Sequence, residues 1–337
     1  MDSAGQGTST NKEYMQVLKE ICDKDPINAT YVTTYISLLT QSRQNGATPD
    51  ADQSEAISEA RKVFEGSLRY NASQVNLWES YLTFLQDSHQ HLGAEADEQI
   101  KQVFERAIQS VGRHMKAGSI WQQYINFETS QLHMGFSFLL CYVAIQTLLL
   151  DFDAQGKKYM EHLYNYFDSI VEDFKRPDFA STIPGQYQEH FKKLEPLLNS
   201  GAPNADQLAQ IAQKQILRQT ETQVSERLPF EDEIKQIHAA NLSLADEKRA
   251  WQSYINFELE KAEPVRARLL YERALVSLDL DLQFWLSYVG FIQHTLKDPS
   301  LARAKFEARR ASTSSLSVGE LIELMIENAM FEEEQQQ

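Results

Sequence analysis

The chain has 337 residues, of which 42% are hydrophobic and 24% charged, with 13 glycines and 9 prolines. This length suffices for two ordinary domains or one long repeat array, and so few glycines and prolines favour helices over a sheet with many tight turns. The net charge of −16 argues against a body that binds nucleic acid through clustered lysines and arginines, because a field of this sign repels phosphate. An acidic body favours basic protein segments as partners.

The N-terminal part of the chain is predicted to be a short tail followed by helical hairpins. Residues 1–11 are small and polar, which indicates a disordered tail and no secretory signal. Over residues 12–200 apolar side chains recur at helical spacing, which predicts N-terminal repeats. The first hairpin carries Tyr35 on one helix and Phe64 on the next.

An aromatic triplet marks the first helix of the later hairpins. Trp251-Gln-Ser-Tyr-Ile-Asn-Phe-Glu258 matches Trp121-Gln-Gln-Tyr-Ile-Asn-Phe-Glu128 at seven of eight positions, and all 4 tryptophans head the same pattern. Neighbouring tryptophans lie 43 residues apart in the first half and 34 in the second, spacings typical of helical-hairpin repeats. The residues of this signature are Trp78, Tyr81 and Phe84; Trp121, Tyr124, Phe127 and Glu128; Trp251, Tyr254, Phe257 and Glu258; and Trp285, Tyr288 and Phe291.

A second motif, an aromatic residue followed by Glu-Arg-Ala, marks the returning helix. It contains Phe104 and Arg106 in the first half and Tyr271 and Arg273 in the second. Triplet residues share one helix face, so they predict an aromatic stripe that packs against the returning helix of the same hairpin, with Tyr271 against the Trp251 triplet.

The acids that end two triplets are predicted to form ion pairs. Glu128 and Glu258 follow the phenylalanine and therefore enter the same tight helix packing as the arginines of the returning helices. An unpaired charge is costly there, so we expect partly buried carboxylate–guanidinium pairs with a structural role.

The second half of the chain is separated from the first by a break. Asn199-Ser-Gly-Ala-Pro203 is the strongest turn signal, so residues 201–226 are predicted to form a linker and a long polar helix. Residues 227–331 are predicted to be C-terminal repeats, whose last helix has no partner helix, so that the array is expected to be truncated. Residues 332–337 form an acidic, glutamine-rich tail. The apolar stretch from Phe136 to Leu150 is shorter than the about 20 residues of a membrane span and predicts a helix buried on all sides.

The sequence predicts no catalytic, cofactor or metal site. His89 and His91 lie in a polar segment without further ligands at usable spacing. Phosphate-binding loops, dinucleotide glycine patterns and Ser-His-Asp arrangements are not found. Cys22 and Cys141 are expected to be reduced thiols of an intracellular protein. The chain is therefore predicted not to be an enzyme.

The triplet followed by [FY]-E-R-A-[LI] resembles the half-a-tetratricopeptide (HAT) repeat over residues 30–310. This resemblance implies an all-α fold, a right-handed superhelical solenoid of antiparallel helix pairs that serves as a protein-interaction scaffold in RNA processing. The segments 103–116 and 228–233 are similar to one family within this group. It is the U4/U6 snRNP recycling factor family of squamous cell carcinoma antigen recognised by T cells.

That resemblance implies a nuclear protein of pre-mRNA splicing whose partners are snRNP components and ubiquitin-specific proteases. The family binds U6 RNA through RNA-recognition domains whose motifs this sequence lacks, so this region is expected to bind neither nucleic acid nor a membrane. The family dimerises through later repeats, so a homodimer is expected only where those repeats are present.

The sequence does not rank partner-binding residues, and it leaves two alternatives open. The first is a HAT scaffold of another RNA-processing pathway, such as mRNA 3′-end processing or ribosome biogenesis. The second, minor alternative is a helical-repeat subunit of a prenyltransferase.

Overall fold

The computed structural model describes residues 16–22, 29–44, 50–93, 95–199, 204–278, 280–311 and 317–335. Within these ranges the ordered elements are helices and no strand occurs, so the predicted all-α fold class is confirmed. No helix in the described ranges is long and apolar enough to cross a membrane. The predicted tail at residues 1–11 lies outside them.

The helices follow one another with short connections. In chain order they are α1 (16–22), α2 (Ala29–Gln44), α3 (Asp50–Leu68), α4 (Val75–Asp87), α5 (Ala96–Val111), α6 (Gly118–Ser130), α7 (Met134–Ala144), α8 (Phe152–Lys175), α9 (Phe179–Thr182), α10 (Gln188–Asn199), α11 (Ala205–Ile211), α12 (Arg218–Ala240), α13 (Leu244–Glu260), α14 (Pro264–Ala274), α15 (Leu282–Phe291), α16 (Pro299–Ala311) and α17 (Val318–Glu334). Single turns of 3₁₀-helix occupy His89–His91 and Gly185–Tyr187, and π-helical turns occupy Ala212–Leu217 and Ile292–Leu296.

The chain divides into two compact units, Met1–Val224 and Ser225–Gln337. The division falls inside α12. The polar helix predicted within residues 201–226 begins at Ala205 and, after a π-helical turn, continues to Ala240.

In the first unit, successive helices pack as hairpins around one continuous core. Contacts join α2 to α3, α4 to α5, α6 to α7 and α7 to α8. Helix α7 is buried on nearly all sides, as its apolar sequence predicts. It ends at Ala144, and the remainder of the predicted helix forms turns in which the Leu150 amide donates to the Met115 carbonyl at 2.8 Å.

The second unit repeats the hairpin arrangement with well-defined helix starts. Helix α13 packs on α14. The side chains of Ser243 and Asp281 accept hydrogen bonds from the first turns of α13 and α15, and Ser317 forms a reciprocal capping box with Glu320 at the start of α17. Helix α17 buries Phe331, whose ring lies 5.5 Å from that of Phe306.

Four described non-glycine residues have positive φ, and two of them occupy matching positions in hairpin turns that follow a triplet acid. Leu132 between α6 and α7 and Ala262 between α13 and α14 have φ values of 62° and 57°. In each turn the next residue's amide donates back to the carbonyl of the acid that ends the triplet, Glu128 at 3.0 Å and Glu258 at 2.9 Å. These left-handed turns close both helix ends and place the two acids at the base of their hairpins.

Candidate functional site: the junctions between repeats

The signature residues meet where one hairpin contacts the next. We call each such contact a junction. It contains an aromatic-Glu pair from the second helix of one hairpin, the Tyr and Phe of the next hairpin's first helix and, in three of four described cases, a cation from that hairpin's second helix. The first and second junctions lie in the first unit, and the third and fourth lie in the second unit. Their residues are Phe64, Glu65, Tyr81, Phe84 and Arg106; Phe104, Glu105, Tyr124 and Phe127; Phe230, Glu231, Tyr254, Phe257 and Arg273; and Tyr271, Glu272, Tyr288, Phe291 and Lys305.

The rings of each junction stack nearly parallel. In the second junction the ring centroids of Phe104 and Tyr124 are 4.7 Å apart with planes at 7°. In the third junction Phe230 and Tyr254 are 4.9 Å apart at 9°. Such stacking contributes about 0.5–1.5 kcal/mol per pair beyond the burial of the two rings.

This register corrects the sequence-based prediction. Tyr271 was expected to pack on the Trp251 triplet of its own hairpin, but it stacks on Tyr288 at 5.1 Å and lies 5.2 Å from Phe291 in the next hairpin. Phe104 likewise contacts Tyr124 of the following hairpin. The aromatic side chain of a returning helix packs against the first helix of the next hairpin, which covers the returning helix. Each aromatic core is therefore shared by two hairpins.

All four tryptophans are buried; Trp78, Trp121 and Trp285 lie in the first turn of their helices, and Trp251 lies in the middle of α13. Each is at most 4% exposed. The indole nitrogen of Trp78 donates to the Ala72 carbonyl at 2.8 Å and that of Trp121 to the Gly112 carbonyl at 2.9 Å, both in the preceding turn. The indole nitrogen of Trp251 donates to Glu247 at 3.2 Å. Trp285 packs edge-on against Phe306 of its own hairpin at 5.3 Å, a contact that follows the predicted register.

In the first junction a surface ion pair completes the stack. Arg106 donates to both carboxylate oxygens of Glu65 at 2.8 and 2.7 Å, and the Tyr81 hydroxyl donates to Glu65 at 3.0 Å. The hydrogen bond from Arg106 lowers the pKa of Glu65. Burial, together with the neighbouring carboxylate, raises the pKa of Tyr81 to about 12. The guanidinium also lies 5.5 Å from the Trp78 ring.

The third and fourth junctions hold their carboxylates in buried or partly buried pairs. Arg273 donates to both oxygens of Glu231 at 2.6 and 2.8 Å, with only 14% and 2% of the two side chains exposed. Lys305 lies 3.1 Å from Glu272, which also accepts from Tyr288 at 2.7 Å. Burial opposes ionisation of Glu272, but Lys305 and Tyr288 outweigh it and lower its pKa.

The triplet acids pair with residues that the sequence did not single out. Glu258 is fully buried and accepts from Arg227 at 2.8 and 2.7 Å and from Arg266 at 3.2 Å. The expected buried pair with an arginine is therefore present. Arg273, however, pairs with Glu231 instead of Glu258, because its helix faces the junction with the preceding hairpin.

Glu128 has a different environment and no arginine partner among the described residues. It is fully buried, with His133 at 2.7 Å and Lys101 at 3.7 Å. The prediction that Glu128 pairs with a guanidinium such as Arg106 is wrong, since Arg106 binds Glu65. The fold places a lysine from α5 and the turn histidine beside it instead.

Sequence reasoning missed the acids of the junctions. Glu65, Glu105, Glu231 and Glu272 all follow an aromatic residue and precede a tyrosine of the next triplet by 16 to 23 residues. A search for an aromatic-Glu pair at that distance before Tyr finds all four. The buried Arg227 carries no such signal, because it lies on a polar stretch of α12.

Comparison with known protein families agrees with the hairpin geometry. The model described as PRP39 N-terminal HAT repeat matches residues 9–166, and the model described as PRP39 C-terminal HAT repeat matches residues 225–337. Together they cover most of the chain. The chain belongs to the HAT-repeat family. The junctions are thus contacts between successive HAT hairpins, and the predicted HAT resemblance is confirmed.

Relatives of this HAT chain include two kinds of splicing protein. Pre-mRNA-processing factor 39 of Danio rerio is 25% identical over 273 residues, which cover 70% of this chain and 34% of the relative. The human protein of that name is 23% identical over 304 residues, covering 83% and 43%. Spliceosome associated factor 3, U4/U6 recycling protein, of Homo sapiens is 25% identical over 206 residues, covering 59% and 16%. The chain therefore spans less than half the length of these relatives.

Proposed function

We propose that this chain is a non-catalytic protein-interaction scaffold in pre-mRNA splicing and acts in the nucleus. The observation that carries the proposal is the match of HAT-repeat models over both halves of a chain whose relatives are pre-mRNA-processing and spliceosome-associated proteins. The junctions support it, since the signature side chains are engaged in holding hairpins together. Partners would bind on the outer surfaces that the hairpins present.

Within splicing, we propose a role in the assembly or recycling of small nuclear ribonucleoproteins. The name of spliceosome associated factor 3, U4/U6 recycling protein, supports the U4/U6 particle. The motif resemblance of segments 103–116 and 228–233 further suggests a ubiquitin-specific protease as a partner. The wider matches to pre-mRNA-processing factor 39 support a second form of the proposal, in which the same scaffold serves another splicing particle.

The test is an affinity purification from nuclear extract with the immobilised chain, performed with and without ribonuclease. Bound proteins are identified by mass spectrometry, and bound small nuclear RNAs are identified by hybridisation. Enrichment of splicing proteins that survives ribonuclease supports the scaffold, and the co-purified RNA species separates U4/U6 from other particles. Recovery of no splicing protein, or recovery only when RNA is intact, would contradict the proposal.

A further inference from the structure

The second junction differs from the other three because its carboxylate, Glu105, has no arginine or lysine partner. Glu65, Glu231 and Glu272 each form an ion pair with an arginine or lysine from the next hairpin's second helix. For Glu105 that helix is α7, whose sequence MGFSFLLCYVA contains no charged residue. Glu105 forms no ion pair within 4.0 Å in the described part of the chain.

Neutral donors occupy the place of the missing cation. The Tyr124 hydroxyl and the side-chain amide of Gln186 both donate to Glu105, as the tyrosine does in the first and fourth junctions. The Tyr187 hydroxyl points toward Glu105, and Tyr187 is only 2% exposed. This hydroxyl forms no hydrogen bond of good geometry with the described residues. The cluster therefore holds a carboxylate that accepts only from neutral donors, and a buried hydroxyl without a hydrogen bond of good geometry.

The nearest cation is already engaged elsewhere. Lys101 lies one helical turn before Glu105, but its Nζ is 3.7 Å from the buried Glu128 and 4.9 Å from the centroid of the Phe136 ring. One lysine thus faces two carboxylates. Burial raises the pKa of Glu105, which agrees with a carboxylate that lacks a direct counterion.

The carboxylate can be reached from solvent. Glu105 is partly exposed and Gln186, which donates to it from the turn before α10, is exposed. Of the two donors to Glu105, Gln186 is exposed and Tyr124 is buried, so Gln186 is the donor that a side chain from solvent would displace.

We propose that Glu105 is a docking site for an arginine side chain of a protein partner. The guanidinium would displace Gln186, bind Glu105 through two parallel hydrogen bonds and give the Tyr187 hydroxyl a donor to accept from. Arg106 on Glu65 shows this geometry within the same unit, with N–O distances of 2.8 and 2.7 Å. Arginine fits better than lysine because its planar fork matches a carboxylate. The inference rests on the chain being an interaction scaffold, but not on which pathway it serves.

The test is selection of a random dodecapeptide library, displayed on phage, against the purified full chain. The expected peptides share an arginine, and synthetic copies should bind Glu105→Gln at least about tenfold more weakly, as expected for a charge-assisted hydrogen bond. Replacing that arginine by citrulline should cause the same loss, and the two changes together should not add. Glu65→Gln is the matched control and should retain parental affinity, whereas Gln186→Ala should retain or increase it.

The variants must first show the parental circular dichroism and melting cooperativity. Selected peptides without a shared arginine, equal binding to the parent and Glu105→Gln, or an equal loss in Glu65→Gln would each overturn the proposal, as would a selection that enriches no peptide. Since only purified chain and peptides are used, this failure is distinct from a failure to recover splicing proteins from nuclear extract.

Discussion

At the scale of single residues, the contribution of a carboxylate to stability depends on its burial and on the charge of its neighbours. Glu258 is fully buried between Arg227 and Arg266, whereas the Glu65–Arg106 pair leaves 37% and 46% of its side chains exposed. Buried pairs are costly to break because the remaining charge has no solvent. Surface pairs contribute little.

We therefore expect Glu258→Gln to destabilise the chain strongly. The amide cannot neutralise two buried guanidinium groups, so the free energy of unfolding should fall by about 3–5 kcal/mol. Urea denaturation of the full chain, followed by tryptophan fluorescence, measures this. Glu65→Gln is the control and should cost less than about 1 kcal/mol. A Glu258→Gln variant that unfolds like the parent would show that the pair has no structural role.

Glu105 and Glu65 are predicted to change the stability of the fold with pH in opposite directions, because the pKa of Glu105 is raised and that of Glu65 is lowered. Because burial raises its pKa in the folded state, the folded chain loses stability as pH rises from about 4.5, the ordinary value, through the folded pKa. Glu105→Gln removes this loss and should raise the melting temperature at pH 7 but not at pH 4. Scanning calorimetry at the two pH values measures the difference.

Glu65 provides the control for this pH dependence. Arg106 lowers the pKa of Glu65 in the folded chain. The Glu65 carboxylate therefore stabilises the fold above about pH 4.5, and this stabilisation is lost as pH falls through the pKa of the folded chain. Glu65→Gln should therefore give no gain in stability at pH 7. If Glu105→Gln also lowered the melting temperature at pH 7, burial of the Glu105 charge would not be unfavourable.

At the scale of elements, the aromatic stacks join helices of different hairpins. A double-mutant cycle tests this register. Tyr271→Leu and Tyr288→Leu should couple by about 0.5–1.5 kcal/mol, because their rings stack at 5.1 Å. Tyr271→Leu and Tyr254→Leu should be additive within about 0.5 kcal/mol. Equal coupling in both cycles, measured by urea denaturation, would contradict the register.

Sequence reasoning recovered the hairpins but not this register. Periodicity placed Trp251, Tyr254 and Phe257 on one face, and these residues are buried or partly buried as a group. Periodicity defines the face of a helix but not which helix packs against that face. The choice depends on how helices stack in three dimensions. The same limit hid the pairing of Glu258 with Arg227, 31 residues earlier in the chain.

At the scale of the whole molecule, the charge pattern sets which partners are favoured. The chain carries 32 Lys and Arg residues against 48 Asp and Glu residues. Several of the cations, including Arg106, Arg227 and Arg273, are engaged by carboxylates within the fold. The negative electrostatic potential of the surface therefore attracts basic protein segments and repels phosphate.

We expect the chain to leave a single-stranded RNA oligonucleotide unretarded in a gel at about 0.15 M salt. Binding to an RNA backbone requires several free cations that displace counterions. A single RNA-recognition domain serves as the positive control for the gel. Retardation that weakens steeply with added salt would show a cationic path on this chain and would contradict the expectation.

The left-handed turns at Leu132 and Ala262 gain a further meaning from the junctions. Each aromatic core is shared between two successive hairpins. A segment that is cut in the loops between hairpins therefore loses part of an aromatic core at each end. A cassette cut at the left-handed turns instead keeps a returning helix with the first helix of the next hairpin, as α14 with α15 keeps Tyr271 on Tyr288. Duplication or exchange of such cassettes would carry the aromatic stack of a junction into a new array, and the following helix would have to supply the cation, as α16 supplies Lys305 to Glu272.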